Sequence, residues 1–314
     1  MSGLFTLLLW AWLMASSFVV SGNMAAYASP LATSVFRFLL ALAVMSLALW
    51  VSWRRGKLTR LEQCRQLFQS WQRVRQYLFI SGTLVGFFVG LFVALQSTTP
   101  LHTSVLYTLI PLMGVLIAKV WLKESASWLR VLGFVLGTIG AMSVLFATQQ
   151  GTSLQWYAGD SIFLGACVLL ALHVVSVQKW GRSLGALPGA FMIMLFGSIW
   201  LLPVALLWGD LGHVMWSSRG FWVNALYLTF FTTLLTFVLQ QRLVVQVGAS
   251  RLLAISYTIP VWVACYTAIS QSRLASLLNA GFLMGVLLLL LALALIDERI
   301  KQRSSLDGSS SAAK

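Results

Sequence analysis

Charge is what this sequence has least of. Only 9% of its 314 residues are Asp, Glu, Lys or Arg, and only seven of these are acidic, whereas soluble domains carry about 25% charged residues. With 59% hydrophobic residues and a mean hydropathy of +0.88, the chain lacks the polar surface that solvation by water alone requires. Histidine and cysteine are equally sparse. His102, His173 and His213, with Cys64, Cys167 and Cys265, show neither metal-ligand spacing nor a disulfide framework, so no cofactor and no metal are expected. The absence of a glycine-rich Walker loop argues against direct ATP hydrolysis. No carboxylate falls clearly inside an apolar run, so a proton path would lack its usual Asp or Glu.

Long apolar runs are what the sequence has instead. They fall near 4–22, 31–53, 77–95, 103–122, 128–147, 158–178, 187–208, 221–241, 250–270 and 276–296. Each approximates the roughly 20 residues that carry a helix across about 30 Å of hydrocarbon. Each is too long for a barrel strand and lacks its alternation. The expectation is an all-α integral membrane protein of ten transmembrane helices. Ala26-Tyr27-Ala28 after the first run resembles a cleavage site. No Lys or Arg precedes that run and its length suits a full span, so it reads as a helix.

The formal charge of +14 would suggest nucleic acid in a soluble chain, but its placement is topological. Arg54, Arg55, Lys57, Arg60, Arg65, Arg73 and Arg75 follow the second run. Lys119, Lys123 and Arg130 follow the fourth, Lys179 and Arg182 the sixth, and Arg242 and Arg251 flank the loop after the eighth. The tail carries Arg299, Lys301, Arg303 and Lys314, while the intervening loops contribute only Arg219 and Arg273. Cytoplasmic loops retain Lys and Arg, so a bacterial inner membrane location with both termini cytoplasmic is expected, and no nucleic-acid partner. Arg37 alone is left unplaced by this pattern.

An internal repeat divides the chain at its middle. Tyr107-Thr108-Leu109-Ile110-Pro111 in the fourth run and Tyr257-Thr258-Ile259-Pro260 in the ninth share an aromatic-polar-apolar-proline signature. Gly133 and Gly137 follow in the fifth run, Gly281 and Gly285 in the tenth, with 22 and 21 residues separating proline from first glycine. Because five is odd, two such halves sit inverted in a bilayer. The division is 1–149, 150–297 and a short cytoplasmic tail, 298–314.

Through these residues the chain resembles the EamA-type family of the drug/metabolite transporter superfamily. Further carriers are Ala15-Ser16-Ser17-Phe18, Ser29-Pro30 with Arg37-Phe38, Lys123-Glu124 and Gly159-Asp160. The resemblance implies two inverted five-helix repeats, export of metabolites or drugs, and a cavity lined by the first, third, fourth, sixth, eighth and ninth helices. Two departures stand out. Glu124 has Ser272 or Arg273 as its counterpart, and Arg37 has Leu195, so a coupling scheme needing symmetric acids is in doubt.

The candidate substrate-pathway residues are Ser17, Arg37, Tyr107, His173, Thr232, Thr236, Tyr257 and Trp262. Arg37 either clamps a carboxylate or phosphate, or snorkels outward or ties helix ends through backbone carbonyls. His173 either relays protons or packs as a hydrogen-bonded imidazole. Thr229, Thr232, Thr233, Thr236 and Gln240 recur at three- and four-residue steps and so share a helical face. Gly82, Gly86, Gly90 and Ala94 form a column for helix contact. Asp160 reads as a helix cap and Glu124 as a charge among lysines. The functional reading is a secondary transporter with a small-molecule substrate and the lipid bilayer as partners, a homodimer being left open. A non-transporting lipid or assembly factor and an intramembrane enzyme are the alternatives.

Overall fold

The computed structural model describes residues 3–53, 60–98, 100–123, 127–148, 156–181, 184–270, 272 and 274–296. Lys57, Glu124, Arg182, Arg273 and the tail 298–314 lie outside them, as does the side chain of His102. Among the described residues every regular element is helical. The chain runs α1 (Gly3–Met24), α2 (Pro30–Trp53), α3 (Arg60–Phe68), α4 (Trp71–Ala94), α5 (Pro100–Tyr107), α6 (Ile110–Trp121) and α7 (Trp128–Thr148). It continues with α8 (Ala158–Trp180), α9 (Ala186–Trp208) and α10 (Arg219–Thr229), then a π-turn (Phe230–Leu235) leading into α11 (Thr236–Val247). The last elements are α12 (Ala249–Ile255), a 3-10 turn (Ser256–Thr258), α13 (Ile259–Ser270) and α14 (Ala280–Ile296).

Eight helical bodies are long and apolar enough to cross a membrane, while Val105–Trp121 and Ala280–Ile296 are apolar but shorter. Helices extend beyond the apolar runs where polar residues continue them. The third body begins at Trp71, ahead of Arg73 and Arg75, and the seventh, which starts at Arg219, continues past Arg242 to Val247. Backbone hydrogen bonding does not stop where the hydrocarbon does, so hydropathy marks the span and not the helix end. The short α3, between α2 and α4, is too polar for a hydropathy reading to have marked it. On α9 and α14, Leu206, Leu207, Leu287, Leu290 and Leu291 are about half or more exposed, as a lipid-facing surface requires.

Small residues set the close contacts. A Cβ on Gly90 would lie 2.8 Å from that of Ala166, and one on Gly86 would lie 2.9 Å from Leu169, so α4 lies along α8. Gly197 of α9 accommodates the ring of Phe38 on α2. The tightest seam joins α7 to α14, where Cβ positions on Gly140 and Gly285 would each come within 2.9 Å of the other's carbonyl oxygen. The absence of side chains there lets the backbones approach.

The two ends of the bundle differ. At the basic end, the Lys179 ammonium sits 4.5 Å above the Trp121 ring, and Trp121 meets Trp180 edge-on at 5.2 Å. Gln178 Oε1 accepts the Ala249 N–H there. At the opposite end the Met215 N–H donates to the Tyr27 carbonyl, the Ser29 hydroxyl donates to the Gly209 carbonyl, and Phe36, Trp216, Phe221 and Trp222 form one aromatic cluster. Asp160 stands third in α8 and reaches back to accept the Tyr157 N–H at 2.9 Å, while also accepting the Thr98 hydroxyl. It thus ties α8 to the loop after α4 as well as closing its own helix.

Candidate functional site

Two polar zones interrupt the apolar bundle. The first lies where two broken helices meet. α5 ends at Tyr107 and α6 restarts at Ile110, and α12 gives way to the Ser256–Thr258 turn before α13. Pro111 and Pro260 each lack the N–H an uninterrupted helix would use. At both breaks a threonine closes the same local loop. Thr108 Oγ1 donates to the Val105 carbonyl at 2.6 Å and Thr258 Oγ1 to the Ile255 carbonyl at 2.8 Å. The breaks face one another across a cavity of about 110 Å3 lined by Tyr107, Thr108, Pro111, Ala141, Ser256, Tyr257 and Pro260. Small-molecule pockets usually enclose about 300–1,000 Å3, so a metabolite could enter only if these walls moved apart.

Tyr257 is a fixed wall of that cavity. It is buried, its hydroxyl donates to the Phe134 carbonyl at 2.9 Å, and Thr138 Oγ1 lies 2.9 Å away. A Cβ on Gly137 would come within 2.6 Å of its ring, which explains the glycine. Tyr107 is less buried and packs toward Phe87 at 6.3 Å.

The second zone joins α1, α2 and the π-turn. Arg37 Nε donates to Thr233 Oγ1 at 3.0 Å and Nη2 to Thr232 Oγ1 at 3.2 Å. Each hydroxyl proton is already committed, since Thr232 and Thr233 both donate to the Leu228 carbonyl, at 2.8 and 2.9 Å. Toward the guanidinium they therefore act only as neutral acceptors. The bond from Thr233 reaches five residues back, and the π-turn that permits it is a form often found at functional sites. Thr236 stacks below, donating to the Thr232 carbonyl at 2.6 Å.

Arg37 does not reach out to the interface. Its Cα is about 10 Å from the start of α2, but its bonding partners lie about 20 Å along the helical body that starts at Arg219, at the same end of the bundle. The head group is drawn toward mid-depth. A charged residue at the centre of a membrane helix costs at least about 2.5–3.5 kcal/mol on insertion scales, and two neutral hydroxyls offset that only in part. Among the described residues no carboxylate lies within ion-pair distance of Arg37.

The remaining sequence candidates sit elsewhere. His173 is fully buried, with Nδ1 2.8 Å from the Ile80 carbonyl and Nε2 3.4 Å from Gln240 Nε2. A carbonyl can only accept, so Nδ1 carries the proton and Nε2 accepts from Gln240. The imidazole thus bridges α4 and α11 within the core. Ser17 is partly buried, and its neighbour Ser16 accepts a hydrogen bond from the Tyr227 hydroxyl at 2.9 Å. Trp262 stands on the surface of α13 at 38% exposure and does not line the cavity. Thr233, Ser16, Ser256 and Ala141 belong to the two zones but not to the sequence candidates. Thr233 had a signal in its place in the threonine stripe and Ser16 in the Ala15-Ser16-Ser17-Phe18 fragment, whereas Ser256 and Ala141 had none.

Residues 1–146 match the model of the EamA-like transporter family. The chain is 27% identical over 237 residues to the "Uncharacterized transporter YyaM" of Bacillus subtilis (strain 168), covering 75% of each chain. It is 25% identical over 194 residues to the "Uncharacterized transporter YvbV" of the same organism, covering 62% of this chain and 61% of the relative. A solved crystal structure superposes with a TM-score of 0.73 at 18% identity, covering 94% of both chains, which speaks to the fold alone. Residues 1–146 thus resemble the EamA-like transporter family, and the chain is similar over 75% of its length to a protein named a transporter, in keeping with its multi-pass helical architecture and paired broken helices.

Proposed function

We propose that this protein is a secondary transporter that exports a small metabolite or drug from the cytoplasm of a bacterium. Its ten apolar segments form two inverted five-helix halves, 1–149 and 150–297, which rock about the space between them. The observation that carries this reading is the meeting of the two broken helices, each with its Tyr-Thr and proline signature, around one cavity. Discontinuous helices at a repeat interface expose backbone polar groups where a substrate can use them, and the interface itself is the natural plane of motion. The basic end is the cytoplasmic one, which puts both termini inside.

The test is an untargeted comparison of metabolites inside and outside cells with and without the protein, followed by flux of the enriched compound in proteoliposomes. The expected result is a compound that accumulates outside only when the protein is present. Ala141→Leu, which would fill much of the cavity, should abolish its flux while leaving insertion and monodispersity intact. Unchanged metabolite distributions would overturn export. Unchanged flux in Ala141→Leu would take the pathway away from this cavity.

A further inference from the structure

We propose that Arg37 is the point at which the transported molecule's carboxylate is held, so that the substrate class is organic monoanions. The inference rests on the transport reading above, but its structural basis is separate. A guanidinium offers two forks of parallel N–H donors. One fork, Nε with one Nη2 proton, is occupied by Thr233 and Thr232. The other, the end fork of Nη1 and the second Nη2 proton, has no protein partner among the described residues.

The occupied fork fixes the plane of the group, because both threonines are themselves anchored to the Leu228 carbonyl in the π-turn. The free fork is thereby aimed and held, as bidentate recognition of a planar oxyanion requires. A role limited to tying α2 to the π-turn would need only two neutral donors, which Gln could supply without placing a charge at depth. The unbalanced charge is the feature that a purely packing role leaves unexplained, and a carboxylate would neutralise it.

The experiment measures thermal unfolding of the purified protein in detergent at constant ionic strength, titrating acetate, hexanoate and benzoate against acetamide, hexanamide and benzamide. The expected result is a saturable rise in Tm with at least one carboxylate and none with its neutral amide. Arg37→Lys, which keeps the charge but loses the fork, should weaken the apparent affinity by about tenfold. Arg37→Gln should remove the carboxylate response altogether. A response that persists in Arg37→Gln, or the absence of any carboxylate-specific shift in the wild type, would overturn the assignment. So would inorganic phosphate stabilising the protein more strongly than every carboxylate. If Arg37→Gln does not fold, the Arg37→Lys titration decides alone, because a purely structural role predicts no change in carboxylate affinity. The assay involves no flux, so its failure would leave the transport reading standing, and a failure of flux would leave the binding result standing.

Discussion

At Gly137 the hydrogen side chain is a requirement set from across the molecule. The Tyr257 ring occupies the space a methyl group would need, and that ring is held by its hydroxyl at Phe134 and Thr138. Gly137→Ala should therefore destabilise the protein by about 1–3 kcal/mol, the usual cost of overpacking a core. Gly165 provides the contrast, since nothing lies within 4 Å of its Cβ position, and Gly165→Ala should be neutral or stabilise by up to about 1 kcal/mol through helix propensity. Thermal unfolding of both variants in the same detergent checks the pair, and equal effects would contradict the assignment. His213 has a different dependence. Its hydrogen bond and charge interaction with Asp210 raise its pKa above the ordinary histidine value. The favourable contact is complete below the unfolded pKa and is lost as pH rises through the raised folded value. Asp210→Asn should lower the titration midpoint of His213, read by NMR of labelled histidine, with little effect on stability because the pair is largely exposed.

At the scale of elements, the π-turn between α10 and α11 sets the register of everything on either side. Deleting Phe231 would rotate the following residues by about 100° and carry Thr232 and Thr233 away from Arg37. Flux should be lost while membrane insertion is retained, whereas deleting Gly212, whose surroundings are open, should leave flux intact. Flux surviving the Phe231 deletion would show that the register is not needed. Helical bodies and their breaks were legible in the sequence because both depend on local chemistry, apolar length in one case and the missing N–H of Pro111 and Pro260 in the other. The π-turn was not legible, since threonines at three- and four-residue steps suit an ordinary α-helix equally well. Nor was the partner of Arg37, which lies 195 and 196 residues away and is chosen by packing. Sequence reasoning isolated both the arginine and the threonine stripe without any means of joining them. With His173 it left relay and packing both open, with packing slightly favoured, and the two ring contacts, to Ile80 and Gln240, could be found only in three dimensions.

Over the whole molecule, the separation of a basic end from an aromatic-rich end predicts sidedness. In a background lacking the three native cysteines, Met215→Cys should react with an impermeant thiol reagent added outside intact cells. Gln246→Cys, at the opposite end of the bundle and also exposed, should react only after permeabilisation. The reverse pattern would invert the topology and, with it, the direction of export. The family model covers residues 1–146, whereas the fold likeness covers 94% of the chain. The π-turn and its threonines lie beyond the residues that the family model matches.

The seam between Gly140 and Gly285 bears on how this protein can change over generations. Each position faces the other's backbone carbonyl at 2.9 Å from where a Cβ would stand, so neither can gain a side chain by yielding space to a smaller partner, because its partner is already the smallest residue. Compensating substitutions are unavailable at both. While lipid-facing leucines drift freely among apolar residues, this pair should remain glycine in any descendant that keeps α7 against α14. A lineage in which one of the two has become larger should also have lost that contact.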